Sequence, residues 1–354
     1  MKDVPLIFVF GFILILGILA SIGVKIIRQR ALRLGLIDEP NQRSSHTIPT
    51  PRGGGLAIVI VTVFAWINIG LGYFHFRWIE VLGYALPALF IAGVSWVDDL
   101  RSLPNKIRFF SHVLAAGCAI LVFGYFQHIG LSDGWELNLG GWGIPLTLFW
   151  IVGLTNVYNF MDGIDGIAGT QSVVAGISWS VIGFIYDQPM LVLLALGLTA
   201  SSVGFLFHNW PPARIFMGDV GSAFLGYSFA VLPLMVRRET PLNFLLLAIF
   251  PLWLFIADAT FTMLRRAQKR ENIFTAHRSH LYQRLVIAGY SHRNVTLWYT
   301  LLSVLGGGAT CWLTYFPANR GKIIVIITIL FFAFVLLHQV VLSAERTKKM
   351  SFGQ

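Results

Sequence analysis

Eleven long apolar runs separated by polar connections constrain this chain more than any single motif in it. They lie near residues 4-24, 54-73, 81-97, 109-127, 143-157, 169-186, 190-207, 221-236, 242-264, 295-316 and 322-342. Helices of about 17 to 25 apolar residues match a hydrocarbon layer of about 30 Å, and none of these runs shows the period-2 alternation of a barrel strand. Hydrophobic residues make up 56% of the 354 and charged residues 12%, too few to build a water-facing shell. The expected fold is an all-α integral membrane protein of about eleven transmembrane helices, forming one polytopic domain over residues 1-354.

Lys and Arg set the expected orientation. With the N-terminus outside, the inner segments 25-53, 98-108, 208-220, 265-294 and 343-354 hold 20 of the 26 basic residues. Lys2, Arg77, Arg237, Arg238, Arg320 and Lys322 stay outside, so the positive-inside bias gives an N-out, C-in topology. The first run is followed, not preceded, by its basic cluster (Lys25, Arg28, Arg30, Arg33), the charge order of a retained helix rather than a cleaved signal. The net charge of +10 is accounted for by this bias and by anionic lipid headgroups, so no nucleic acid partner is expected. Cys118 and Cys311 lie within apolar runs without metal-ligand spacing and read as packing residues.

The acidic residues gather at one face. Asp98 and Asp99 end the third run, Asp162 and Asp165 follow the fifth in the cytoplasmic loop 158-168, Asp219 precedes the eighth, and Asp258 lies near the end of the ninth. Carboxylates beside hydrocarbon are costly and mark function by default. A cation- or proton-coupled transporter of an anionic solute would place such groups near mid-membrane, with access from both sides. Clustering at the cytoplasmic face instead favours chemistry there.

Five segments carry candidate groups. The pair Asp98-Asp99 calls for a bound cation or for partners among Arg101, Lys106 and Arg108. In Asn156-Val-Tyr-Asn159-Phe-Met-Asp162-Gly163-Ile-Asp165-Gly166, two amides and two carboxylates sit among glycines that let a ligand approach the backbone. At Phe216-Met-Gly218-Asp219-Val-Gly221-Ser222, a helix N-terminus near Val220 suits a phosphate and Asp219 a metal; an N-cap role for Asp219 or Ser222 is the alternative. Phe216 is placed to stack on a base or simply to pack. His277-Arg278-Ser-His280-Leu-Tyr-Gln-Arg284 offers arginines to clamp a diphosphate and histidines to orient or protonate it, or a basic interfacial helix. The strip Asn41-Gln-Arg43-Ser44-Ser45-His46-Thr47-Ile-Pro49-Thr50-Pro51-Arg52-Gly53-Gly54-Gly55 suits an anion approaching backbone amides, or is an ordinary connector.

In order and spacing, these five motifs resemble the polyprenyl-phosphate N-acetylhexosamine-1-phosphate transferases (glycosyltransferase family 4), over about residues 40 to 290. The His-Arg-Ser-His run in place of consecutive histidines is more similar to the O-antigen-initiating branch than to the peptidoglycan-precursor branch. The resemblance implies transfer of N-acetylhexosamine-1-phosphate (GlcNAc, or a 6-deoxy relative such as FucNAc or QuiNAc) from a UDP-sugar to undecaprenyl phosphate. UMP would be released with Mg²⁺ or Mn²⁺ as cofactor, at the bacterial cytoplasmic membrane, as the first membrane step of lipopolysaccharide or a related surface glycan. It also implies Asp219, with Asp162, at the metal, Asn156, Asn159, Gly163 and Phe216 around the nucleotide, and Arg52, Arg278 and Arg284 on phosphates. Asp98, Asp99, Asp162, Asp165, His277 and His280 would be catalytic. A homodimer is left open. Because a phosphate monoester is largely dianionic at pH 7, the expected mechanism is direct in-line attack, with an aspartyl-enzyme intermediate as its competitor.

Overall fold

The computed structural model describes residues 6–40, 45–132, 135–236, 244–272, 277–316 and 320–352. Lys2, Asn41, Arg43, Ser44, Arg237 and Arg238 lie outside the described residues. Each apolar run is helical: α1 (Leu6–Leu34), α2 (Gly55–Gly72), α3 (Trp78–Arg101), α4 (Asn105–Phe123), α5 (Gly143–Phe160), α6 (Ile167–Ile185), α7 (Pro189–Asn209) and α8 (Asp219–Val231). The ninth run is split into α9 (Phe244–Ile249) and α10 (Trp253–Gln268), followed by the short α11 (Leu281–Ile287), then α12 (His292–Tyr315) and α13 (Arg320–Phe352). Nine helices among the described residues are long and apolar enough to cross a membrane; α8 is shorter, and α12 is not among the nine. The protein is an all-α integral membrane protein with many spans.

Three details differ from the sequence reading. The first helix continues ten residues past its apolar run, to Leu34, because Lys25 to Arg33 contains no Pro or Gly to stop it. The ninth run breaks at Phe250–Leu252, where Pro251 has no N–H to donate and the chain tightens into a 3₁₀ turn. The Pro251 carbonyl accepts a bond from Gln171 Nε2 of α6 at 2.6 Å, and Ser303 Oγ of α12 donates to Gln171 Oε1 at 2.6 Å. The connection before α5 contains a hairpin, β3 (His128–Ser132) with β4 (Trp135–Asn138). A smaller pair, β1 (Ile37–Asp38) with β2 (Thr50–Pro51), ties the two ends of the first long loop together.

α7 is the centre of the bundle: 78% of its apolar window is buried, against 17% for α1 and 22% for α13 at the periphery. Small hydroxyls join the inner helices, as Ser202 of α7 to Ser172 of α6 at 2.8 Å and Thr62 of α2 to Ser201 of α7 at 3.0 Å. Such bonds hold helices together where lipid removes the usual hydrophobic drive. The helix ends that carry the candidate motifs converge on one end of the bundle. They are the C-terminal ends of α3, α5 and α7 and the N-terminal ends of α2, α4, α8 and α12, linked by the bonds described below.

Candidate active site

The most consequential group at that end is Asp162, in the six-residue link between α5 and α6. Among the described residues its half-buried carboxylate has neither a hydrogen bond nor an ion pair. Burial, then the negative fields of Asp219, Asp99 and Asp165, push it up to about 8. An acid so placed lacks a countercharge, and a cation would supply one.

Its neighbours are held by the protein itself. Asp219, the first residue of α8, accepts from Asn159 Nδ2 at 3.0 Å and pairs with Arg108 Nη1 at 3.3 Å. Asn159 also bonds Ser222 Oγ at 2.9 Å, so the α5 amide sets the Asp219 rotamer. Arg108 sits between two acids, reaching Asp98 Oδ2 at 2.9 Å, while Leu103 N–H donates to Asp98 Oδ1. Asp99 accepts from the backbone N–H groups of Asp219 at 3.0 Å and Val220 at 3.1 Å. It therefore occupies the α8 N-terminus, where the helix dipole favours an anion, and the phosphate expected there meets a carboxylate.

Several expected roles meet different surroundings. Asp165 pairs with His292 Nδ1 at 3.1 Å and accepts from Ala213 N–H at 3.0 Å, a pair of partners that binds loops rather than leaving a base free. Asn156 donates to Val152 O at 2.7 Å and lies 3.2 Å from His112 Nδ1, one helical turn back from Asn159. His280 is buried with Nδ1 3.5 Å from Asp258 Oδ1, beneath the surface rather than facing it. His277 rests its ring on His280 at 4.9 Å and bonds Ser279 Oγ at 2.9 Å; burial, then the charges of His280 and Arg266, push it down to about 4. It is neutral at pH 7. Arg284 is buried and forms a two-pronged pair with Glu345 of α13 at 2.7 and 2.8 Å, so that face of its guanidinium is not available to a diphosphate. Arg278 is half-buried beside them.

The glycines, too, serve the protein's own contacts. A Cβ on Gly163 would collide with the Tyr282 hydroxyl, which donates to Phe160 O at 3.0 Å. One on Gly55 would collide with the Gly221 backbone, where the strip zips onto the loop before α8. There Gly54 and Gly55 N–H groups donate to Phe216 O and Met217 O, each at 2.9 Å, and Phe216 N–H donates to Pro51 O at 2.8 Å. Those amides are consumed and do not present themselves to an anion. Arg52 differs: its half-buried side chain makes no hydrogen bond or ion pair among the described residues, and its charge acts on Asp99. Phe216 is half-buried with its ring 4.8 Å from His46.

This gives a direct test of Gly163. Gly163→Ala is expected to lose most activity, and adding Tyr282→Phe to recover part of it, since the nearest remaining ring atoms stand 3.0 and 3.2 Å away. If the double variant is as inactive as the single one, the glycine answers to a ligand instead.

The model of the glycosyl transferase family 4 matches residues 81–237, which contain the Asp98–Asp99, Asn156–Asp165 and Phe216–Ser222 motifs. A probable undecaprenyl-phosphate N-acetylglucosaminyl 1-phosphate transferase of Bacillus subtilis is 33% identical over 306 residues, covering 82% of this chain and 83% of its own. The chain belongs to glycosyl transferase family 4. An undecaprenyl-phosphate alpha-N-acetylglucosaminyl 1-phosphate transferase of Escherichia coli K12 is 28% identical over 288 residues, covering 78% and 76% of the two chains. A decaprenyl-phosphate N-acetylglucosaminephosphotransferase of Mycobacterium tuberculosis is 27% identical over 338 residues, covering 84% and 80%.

Arg108, His112 and His292 are additions to the site of this family 4 member that motif reading passed over. Arg108 figured only as one of three possible partners of the acid pair; His112 and His292 stand singly in apolar or basic surroundings, with no spacing to flag them. Among the described residues no three acid, His or Cys side chains converge as a ready-made metal cage.

Proposed function

We propose that this chain transfers N-acetylhexosamine-1-phosphate from a UDP-sugar to a polyprenyl phosphate, undecaprenyl phosphate in bacteria, releasing UMP. The observation that carries the reading is Asp162, without a hydrogen bond or ion pair among the described residues, beside Asp219 and Asp99, on which the cations Arg108 and Arg52 act, at the membrane edge. An acidic centre of this kind suits a diphosphate accompanied by a divalent ion, with arginines for the remaining charge. GlcNAc is the first choice of sugar, because the similar proteins are named for it; FucNAc and QuiNAc are the competing donors. The N-out, C-in topology would open this end to the cytoplasm at the inner membrane, where nucleotide sugars are made, and feed O-antigen or a related surface glycan.

Mg²⁺ takes one or two carboxylates and fills its remaining positions with water and substrate phosphate, so a full protein cage is not needed. Asp162, with no competing partner, and Asp219, oriented by Asn159, are the residues that would hold it. When bound, Mg²⁺ or Mn²⁺ supplies charge neutralisation to the donor diphosphate. Arg52 and Arg108 bring positive charge toward the acceptor phosphate, whose own dianionic oxygen attacks the β-phosphorus in line with departing UMP. Asp98 is engaged by Arg108 and Leu103, and Asp99 by the α8 N-terminus, which leaves neither free as nucleophile and supports direct attack. A transport reading gains little from Asp258, the acid deepest in a span, because its carboxylate is already saturated by donors.

The decisive assay supplies radiolabelled UDP-GlcNAc, undecaprenyl phosphate and Mg²⁺ to purified protein and follows UMP and organic-extractable label together, with UDP-FucNAc and UDP-QuiNAc in parallel. Equimolar UMP and lipid product from one donor is expected; folded protein inert with every donor overturns the reading. Phe216→Ala is expected to weaken UMP binding about tenfold, the usual worth of one base–aromatic stack, with little change in lipid affinity. Equal loss of both would assign the ring to packing against His46.

A further inference from the structure

His292, the first residue of α12, joins two segments that sequence reading kept apart. Its Nδ1 lies 3.1 Å from Asp165 Oδ1 and its Nε2 3.0 Å from the Ser45 carbonyl. Both partners accept hydrogen bonds, so both ring nitrogens carry protons when both contacts are made. The Asp165 backbone N–H also lies 3.5 Å from Nδ1, at the limit of a hydrogen bond, and the shorter carboxylate contact takes precedence. One turn along α12, Thr296 Oγ1 donates to Asp165 O at 2.7 Å, so the α12 surface holds that residue by side chain and backbone together.

From Asp165 the connections close into a ring. Its other carboxylate oxygen accepts from Ala213 N–H at 3.0 Å, and Asn209, which receives Gly166 N–H at 2.8 Å, donates to Ile215 O at 2.9 Å. The next residue, Phe216, bonds Pro51 and Gly54 through its backbone. Residues 45–54 are thus a strap fastened near its end to the loop before α8, held at Thr50–Pro51 by the pairing with β1, and fastened at its start, through Ser45, to His292. Between the fastenings lie His46, whose ring meets Phe216 and whose Nε2 is 3.3 Å from Asp38 O, and Arg52, whose guanidinium makes no hydrogen bond or ion pair among the described residues and whose charge acts on Asp99.

We propose that His292 is a positioning residue: by donating at once to Asp165 and to Ser45 O, it pins the strap across the acidic loop and so presents Arg52 and the His46–Phe216 pair to substrate. His292 itself touches no acid of the Asp162–Asp219 centre. Losing it frees one end of the strap and leaves the Asp165 carboxylate without its cationic partner. The effect falls on binding, through Arg52 and Phe216, more than on the attack itself. The substrate assignment rests on the transferase reading above; the geometry of the strap does not.

Two readouts separate the proposals. In the transfer assay, His292→Ala is expected to raise the donor KM roughly ten- to a hundredfold, the worth of one charge-assisted hydrogen bond, with kcat changed far less. His292→Arg, which keeps the charge and two donors, is expected to recover much of the loss. Independently of any reaction, Ser45→Cys places a thiol at the fastened end of the strap, where the serine Oγ is buried, and leaves the Ser45 carbonyl in place, so its maleimide labelling reports unfastening. Labelling faster in His292→Ala than in His292→Arg or the unsubstituted background supports the strap; equal rates overturn it. Should His292→Ala fail to fold in detergent, His292→Gln, which is neutral and has a single donor nitrogen in place of two on opposite sides of a ring, stands in, and a rate equal to that of His292→Arg again overturns the proposal. Absence of transfer by every variant, with the labelling difference intact, would instead sink the transferase reading alone.

Discussion

Asp162→Asn is expected to lower transfer by about 10²- to 10³-fold or more, the scale on which removal of one preorganised electrostatic group acts, while the protein stays folded. The substitution keeps the shape of a carboxyl that is held largely protonated near neutral pH without a metal, so stability should not fall. The sign of its pH dependence follows from the group's position. Burial and three neighbouring acids raise Asp162 from 3.8 to about 8, so the folded metal-free protein holds a proton that the unfolded chain gives up. The associated stability is complete below about pH 4 and is lost as pH rises through about 8. Thermal unfolding in detergent without divalent ions should therefore show the native chain losing stability across that window, and Asp162→Asn losing less. Because a cation competes with that proton, Mg²⁺ should bind more tightly toward pH 8 and its stabilising increment should grow with pH. An Asn variant with the pH profile of the native chain, or with near-native turnover, would remove Asp162 from the metal role and return Asp219 to first place.

The bundle was legible because its signal is coarse: runs of apolar residues give helices whatever the packing, and each run has a helix in the fold. What sequence could not resolve was direction of contact. Asp98, Asp99, Asp162, Asp165 and Asp219 read as carboxylates gathered on one face, all with roles at the metal or in catalysis. Three of them are spent on the protein: Asp98 on Arg108, Asp99 on the α8 N-terminus and Asp165 on His292. Spacing puts Arg108 within reach as a partner for Asp98, but nothing in the sequence distinguishes Asp99 and Asp165 from Asp162, since their partners come from positions 120 and 127 residues away. The glycines mislead for the same reason: Gly163 has the same small profile whether it admits a ligand or the Tyr282 hydroxyl. Arg284 has the composition of a phosphate clamp and the environment of a helix staple, because Glu345 arrives from a helix 61 residues further on.

The second large effect is expected away from the acidic centre, at Asp258. This carboxylate is fully enclosed in α10 and surrounded by donors: Leu281 N–H at 2.8 Å and Thr262 Oγ at 3.1 Å on one oxygen, Tyr299 Oη at 2.7 Å and Tyr282 N–H at 3.3 Å on the other. Every partner gives a hydrogen bond and none accepts one here. Asp258→Asn preserves the volume but turns an NH₂ toward two of those donors, leaving them unmatched in a dry interior. The cost should be roughly 3–5 kcal/mol, the scale for removing one side of a buried charged network. Whichever oxygen is replaced, one of the two lost bonds is to a backbone N–H that begins α11, so the loop from His277 to Arg284 should lose part of its footing as well. The variant is therefore expected to melt earlier in detergent and to lose transfer even at temperatures where it remains folded, with Asp258→Glu, which retains the acceptors but overfills the site, intermediate. A thermal midpoint unchanged by Asn would mean that the network tolerates a donor at this position, and the loop would have to owe its placement to the Arg284–Glu345 pair instead.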